Sequence, residues 1–258
     1  MNGIIALPLV PLRQSDSEIS EMTSQLLFGE RVEILEVRER WLFVRNYSDN
    51  YTGWVDRKMI QILSNQEDER LNLQNSFCVP VPFVYCNIIN SEEKMCIPGG
   101  SLLHGFANNQ CKIGDEIYEI KLQGSTNPQE LSSERILYLA TQYLNAPYLW
   151  GGKTIMGIDC SGFVQVIYAF CQIQLPRDAS MQVEKGQVID FLSQSQAGDL
   201  AFFENAEGKI IHVGLLYNNH QIIHASGCVK IESIDTHGII SSKTGEYTHK
   251  LRVIKRLI

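Results

Sequence analysis

The patterning of the chain changes once, near residue 131, and that change restricts the fold more than any other feature. Before it, apolar residues come in short β-branched and aromatic runs, at 31–38 (RVEILEVR), 41–45 (WLFVR) and 53–56 (GWVD). Runs of this kind between turn residues read as strands. After it, Ser132 or Ser133 stands where it can cap a helix with Ile136, Ala140, Tyr143 and Leu144 at helical spacing. Pro147 ends that helix. A second helix is predicted to start close to Cys160, with Phe163, Val164, Ile167, Tyr168 and Cys171 on one face, and to stop before Pro176. Strands at 199–204, 209–217, 221–226 and 250–256 complete the pattern. Helices first and antiparallel strands afterwards make an α+β domain.

The expected organisation follows from these shifts. Residues 1–63 are read as a small β-barrel, 64–75 as a polar linker, 76–124 as a second β segment, and 125–258 as the α+β domain. Turn signals at Pro98-Gly99-Gly100 and Gly114-Asp115 punctuate the second segment. The apolar stretch 4–12 is short, is broken by Pro8 and Pro11, and lacks a basic segment before it. A first strand is therefore expected there rather than a signal peptide, which places the protein in the cytoplasm. No apolar run approaches the roughly 18 residues of a membrane span. The formal net charge of −7 offers no basic footprint for nucleic acid. The seven cysteines are odd in number and form no CxxC pair, against a disulfide framework or structural zinc and in favour of a reducing compartment.

The chemistry concentrates at Tyr148-Leu-Trp-Gly-Gly152 and Gly157-Ile-Asp-Cys-Ser-Gly-Phe163. Glycines just before a helix start put Cys160 where backbone N–H groups and the positive helix end favour a thiolate. The same N–H groups are suited to an oxyanion developing on an attacked carbonyl. A lone cysteine is more often a buried structural residue, and the glycine-rich helix entrance is what sets this one apart. A thiol nucleophile needs a base within hydrogen-bond reach. His212 and His224 lie in consecutive predicted strands. With Tyr217 opposite Gln221, His212 faces Ser226 and Gly214 faces His224, which leaves the imidazoles as diagonal neighbours roughly 7–8 Å apart at the backbone. A one-residue slip would put them on opposite faces. His104, His220, His237 and His249 sit in polar, turn-like sequence and receive no role. No third ligand is spaced for a metal beside His212 and His224, so neither metal nor cofactor is expected.

These residues resemble the NlpC-type family of bacterial cell-wall cysteine peptidases, whose fold is papain-like. The family pattern is matched by Tyr148, Trp150, Gly151 and Gly152, by Asp159-Cys160-Ser161-Gly162, by Leu175-Pro176-Arg177, and by His212 and His224. By resemblance Cys160 is the nucleophile, His212 the base and His224 the orienting residue. Glu30-Arg-Val-Glu-Ile34, Trp41-Leu-Phe-Val44 and Asp49-Asn-Tyr-Thr-Gly-Trp54 are similar to a bacterial SH3-like domain, which implies one or two such barrels ahead of the catalytic domain. The subgroup with this layout accepts short murein peptides with a free N-terminal L-alanine and cleaves the bond from γ-D-glutamate to a diamino acid. For this chain the resemblance implies substrate contacts at Tyr51, Tyr148 and Trp150. Asp159 is the expected carboxylate for the substrate ammonium, with Glu21 as a second, and Ser161 and Ser180 are expected to bind the D-glutamate carboxylate. At the helix entrance Asp159 reads equally as an N-cap, a role that can hold beside the first, and Ser180 reads equally as a polar turn residue. Recycling of small murein peptides is the implied role. Two competing readings are an exported hydrolase of intact wall and a non-catalytic wall-binding module. The intact thiol and histidine set disfavours the latter.

Overall fold

Alternating β-branched runs pair as antiparallel strands throughout the computed structural model, which describes residues 1–122 and 132–258. The chain divides into two compact units, Met1–Asn127 and Pro128–Ile258. The expected boundary at residues 124 and 125 lies outside the described residues.

In the first unit a seven-stranded sheet runs in the order Met22–Leu27, Leu9–Arg13, Thr52–Asp56, Trp41–Asn46, Arg31–Val37, Asn2–Ile4, Gln61–Ile62. The apolar N-terminal stretch supplies two of these strands, interrupted around Pro8. Val10, Leu12, Leu26, Val32, Val44 and Val55 fill the interior of this small barrel. Tyr51 lies half-buried against that core, and Glu21 is exposed before the strand Met22–Leu27.

Residues 64–75, expected as a linker, hold a helix instead. Ser64 accepts from the Glu67 N–H, and the Glu67 carboxylate accepts from the Ser64 N–H, closing a capping box on Asn65–Leu73. Leu71 drops from this otherwise polar helix into a core with Ile4, Phe28, Val79, Ile97 and Ile120. The Ser-x-x-Glu spacing was the sequence signal for it. The second β segment forms a four-stranded sheet, ordered Lys94–Pro98, Phe83–Ile88, Glu116–Ile120, Gln110–Ile113, and a pair of strands, Ser76–Cys78 with Leu102–His104. Its interior is continuous with Ile4 and Phe28 of the first barrel, so the two β segments share one core. His104 belongs to that shared core, with Nδ1 bonded to the Ser76 hydroxyl and Nε2 to the Gly29 carbonyl.

In the second unit Ser132 caps the helix Ser133–Thr141 by accepting from the Arg135 N–H at 3.2 Å. Ile136, Ala140 and Tyr143 are buried, whereas Leu144 lies beyond the helix end and is exposed. The helix Cys160–Phe170 starts on the expected residue and is buried along almost its whole length. It packs on the strand Ile210–Asn218 of a seven-stranded antiparallel sheet. The sheet order is Gln187–Ile189, Tyr247–Arg256, Leu200–Glu204, Ile210–Asn218, Gln221–Ser226, Cys228–Ile234, Gly238–Ile240, and the last strand also pairs with Tyr247–Arg256. Six strands thus close on themselves beneath the helix. The strand Cys228–Ile234 is one that the sequence reading passed over. The architecture is α+β, as expected.

Candidate active site

Local backbone geometry sets the nucleophile helix. Asp159 is its N-cap, with Oδ1 accepting from the Gly162 N–H at 2.7 Å and Oδ2 from the Gly151 N–H at 2.8 Å. Gly162 must be glycine, because a Cβ there would sit 2.3 Å from the Gly152 carbonyl oxygen. The cap holds the loop of residues 149–152 against the first turn of the helix. Cys160, the first helical residue, is only 7% exposed. Its sulfur lies within hydrogen-bonding reach of the Ser161 and Val213 N–H groups, and Val213 follows His212 in the chain.

The two histidines meet as the register argument requires, although the turn differs. Leu215 pairs with Ile223 and Leu216 with Ile222, while Tyr217 bulges out and Asn218, not Tyr217, faces Gln221. Upstream of the bulge the register brings His212 and His224 to one face of the sheet. His212 Nε2 and His224 Nδ1 are 2.9 Å apart, with the rings nearly perpendicular at 84°. Gly214 leaves the room for this, since a Cβ there would stand 2.8 Å from His224 Cβ. His224 Nε2 in turn contacts Glu232 Oε2 at 3.0 Å. His224 pairs directly with Lys230, which makes Glu232 its diagonal neighbour on the next strand. Two residues that the sequence reading assigned no role therefore belong here. Glu232 ends the line of side chains from His212, and His249 stacks on His212 with centroids 4.1 Å apart.

Electrostatics correct one expectation. Burial, aided by the Asp159 charge, pushes the Cys160 thiol up to about 11, against the opposing pull of the Val213 and Ser161 N–H groups and Arg177. Burial also holds His212 well below the ordinary imidazole value, with His249 and His224 adding to it, and brings His224 down to about 4. Burial thus works against the thiolate that the helix end favours. Desolvation at this buried site outweighs the few N–H dipoles.

Asp159 and Ser161 have structural partners as well. The Arg177 guanidinium forks onto both Asp159 oxygens, with side chains 1% and 6% exposed, and also donates to the Ser161 hydroxyl at 2.9 Å. Ser161 donates to Asp159 Oδ1 at 3.3 Å. Both groups help to fix the helix start, Asp159 as its N-cap and the Ser161 hydroxyl pointing inward to it. Tyr148 is half-buried, its phenol raised to about 12 by burial and then by the nearby Cys160 and Asp159 charges. Trp150 is 59% exposed, and Ser180 is exposed on the short helix Ala179–Gln182. Among the described residues no cluster of His, Cys, Asp or Glu is arranged to hold a metal ion, and no helix is long and apolar enough to cross a membrane.

With this geometry in view, the likeness to known proteins is specific. The NlpC/P60 family matches residues 145–248, and the bacterial dipeptidyl-peptidase Sh3 domain matches residues 12–60. The chain carries an NlpC/P60 domain preceded by a bacterial dipeptidyl-peptidase SH3 domain. A γ-D-glutamyl-L-lysine dipeptidyl-peptidase of Bacillus subtilis (strain 168) is 27% identical over 217 residues, covering 78% of this chain and 71% of its own. A dipeptidyl-peptidase 6 of Lysinibacillus sphaericus is 26% identical over 261 residues, covering 91% and 92%. The crystal structure of an NlpC/P60 family protein from Bacillus cereus superposes with a TM-score of 0.83 over 100% of this chain and 99% of that one, at 18% identity, and shares the fold. The chain is accordingly a cysteine-type peptidase.

Proposed function

We propose that this peptidase hydrolyses the γ-D-glutamyl–diamino acid bond of short murein peptides bearing a free N-terminal L-alanine. The observation that carries the chemistry is a buried thiol at a helix start, beside the strand that presents the His212–His224 pair. Cys160 is the nucleophile. His212 removes the thiol proton as sulfur attacks the carbonyl, then delivers it to the leaving amine, and water resolves the thioester. His224 orients His212, as the third member of other triads does.

The substrate class is supported by relatives that are named for γ-D-glutamyl-L-lysine bonds and by the dipeptidyl-peptidase type of SH3 domain. The substrate ammonium needs a carboxylate, and Asp159 beside the nucleophile already pairs with Arg177. Asp178, half-buried next to Arg177 at the start of the helix Ala179–Gln182, is the further carboxylate that the catalytic unit offers. Within the catalytic unit Tyr148, Trp150 and Ser180 are the substrate contacts this reading implies. Recycling of murein peptides in the cytoplasm is the role this specificity fits. The test is hydrolysis of L-Ala-γ-D-Glu-diaminopimelate, its L-lysine counterpart, their N-acetylated forms and intact sacculi. Preference for the free-amine tripeptides supports the reading, and equal cleavage of sacculi refutes it.

A further inference from the structure

Glu232 lies outside every motif that marks the site, yet its side chain is 1% exposed and heavily bonded. Oε1 accepts from the Ser242 N–H at 3.0 Å and from the Ser242 hydroxyl at 3.2 Å. Oε2 meets the Lys230 ammonium at 3.1 Å and His224 Nε2 at 3.0 Å. Burial alone would raise this acid, but Ser242, Lys230 and His224 together hold it below its ordinary value. An ionised carboxylate only accepts hydrogen bonds, and a neutral imidazole has one N–H and one bare nitrogen. His224 must then donate from Nε2, which leaves its Nδ1 bare. That nitrogen accepts from His212 Nε2–H across the 2.9 Å contact, which leaves His212 Nδ1 bare in turn.

We propose that Glu232 is a positioning residue that fixes the tautomers of both imidazoles and so makes Nδ1 of His212 the basic nitrogen. This rests on the reading of His212 as general base. Among the described residues nothing else bonded to the pair imposes the same direction, because the reversed line of donors satisfies the His212–His224 contact equally well. In the reversed state His212 carries its proton on Nδ1 and has no lone pair there for the thiol proton. Glu232 also faces the imidazolium formed on proton transfer through one intervening ring, where its charge favours that state.

Glu232→Gln is the informative change because it keeps shape and inverts one contact. The two Ser242 donors retain the amide oxygen at the Oε1 position, which turns the amide NH2 toward His224 Nε2. His224 then carries its proton on Nδ1 and donates to His212 Nε2, so the whole line reverses. Nitrogen-15 histidine NMR on the wild-type full chain is expected to show Nε2–H on both rings, and on E232Q to show Nδ1–H on both. In the same variant kcat on the murein tripeptide should fall by at least about 100-fold with KM little changed, the scale of a lost general base. An Nδ1–H on either ring of the wild type overturns the proposal, as does E232Q with unaltered tautomers or unaltered kcat. If E232Q does not fold, the wild-type spectrum alone decides. Failure of the substrate reading would appear instead as wild-type protein inactive on the tripeptides, with the tautomer pattern intact.

Discussion

Replacing Asp159 by Asn separates a structural carboxylate from a substrate-binding one. Asn caps helices about as well as Asp, so the bond from the Gly162 N–H survives. The charge does not survive, and Arg177, 1% exposed, keeps its own. Breaking a buried pair by removing one partner costs about 3–5 kcal/mol. The amide NH2 must also take the place of one oxygen, and Gly151 and Arg177 both offer donors to Oδ2. Both effects push the cost toward the upper end. At about 2–4 °C per kcal/mol for a chain of this size, the melting temperature should fall by on the order of 10 °C. Circular dichroism melts would report it, alongside kinetics on free and N-acetylated tripeptides. Asp159→Asn with Arg177→Met should do less harm than Asp159→Asn alone, because the orphaned charge is gone. A variant that melts within 2 °C or so of the wild type and loses only its preference for the free amine would refute the reasoning and restore Asp159 to the ammonium.

Cys160→Ala should abolish hydrolysis without unfolding the chain, and activity surviving in it would remove the nucleophile assignment. Because the thiol is pushed up to about 11, alkylation by iodoacetamide in the resting enzyme should keep rising with pH, and a plateau below neutrality would reveal a thiolate instead. His212→Ala should lose nearly all turnover and His224→Gln less of it; the opposite order in kcat would exchange the roles. Gly214→Ala forces a Cβ to within 2.8 Å of His224, so about 1–3 kcal/mol of overpacking and a lower kcat are expected, and a wild-type rate would show that the ring pair tolerates displacement. His224 folds with its pKa lowered to about 4, so the unfolded chain binds more protons below about 6.5 and stability should fall as pH drops from there toward 4, readable by urea melts across that range.

Most of the site was legible because its residues are tied to local pattern. Cys160 could be placed at a helix start from glycine spacing and apolar periodicity, and the His212–His224 face followed from counting register through the turn. The count held upstream even though Tyr217 bulges, because Gly214 leaves room for His224 only in that register. What stayed hidden depends on long-range partners. Asp159 reads equally as a helix cap or an ammonium partner until Arg177, 18 residues on, is seen to fork onto it. The thiol's state is set by desolvation, which no spacing reveals. Glu232 is the sharpest case. Its strand alternates Val229 and Ile231 with Lys230 and Glu232, so in sequence the acid reads as one of a pair on a polar face. A charge enters such a position only with partners enough to offset its desolvation, and here Ser242, Lys230 and His224 supply them. Burial of an acid that the alternation assigns to a polar face is therefore itself the mark of a site, since packing alone gives no reason to bury a carboxylate there.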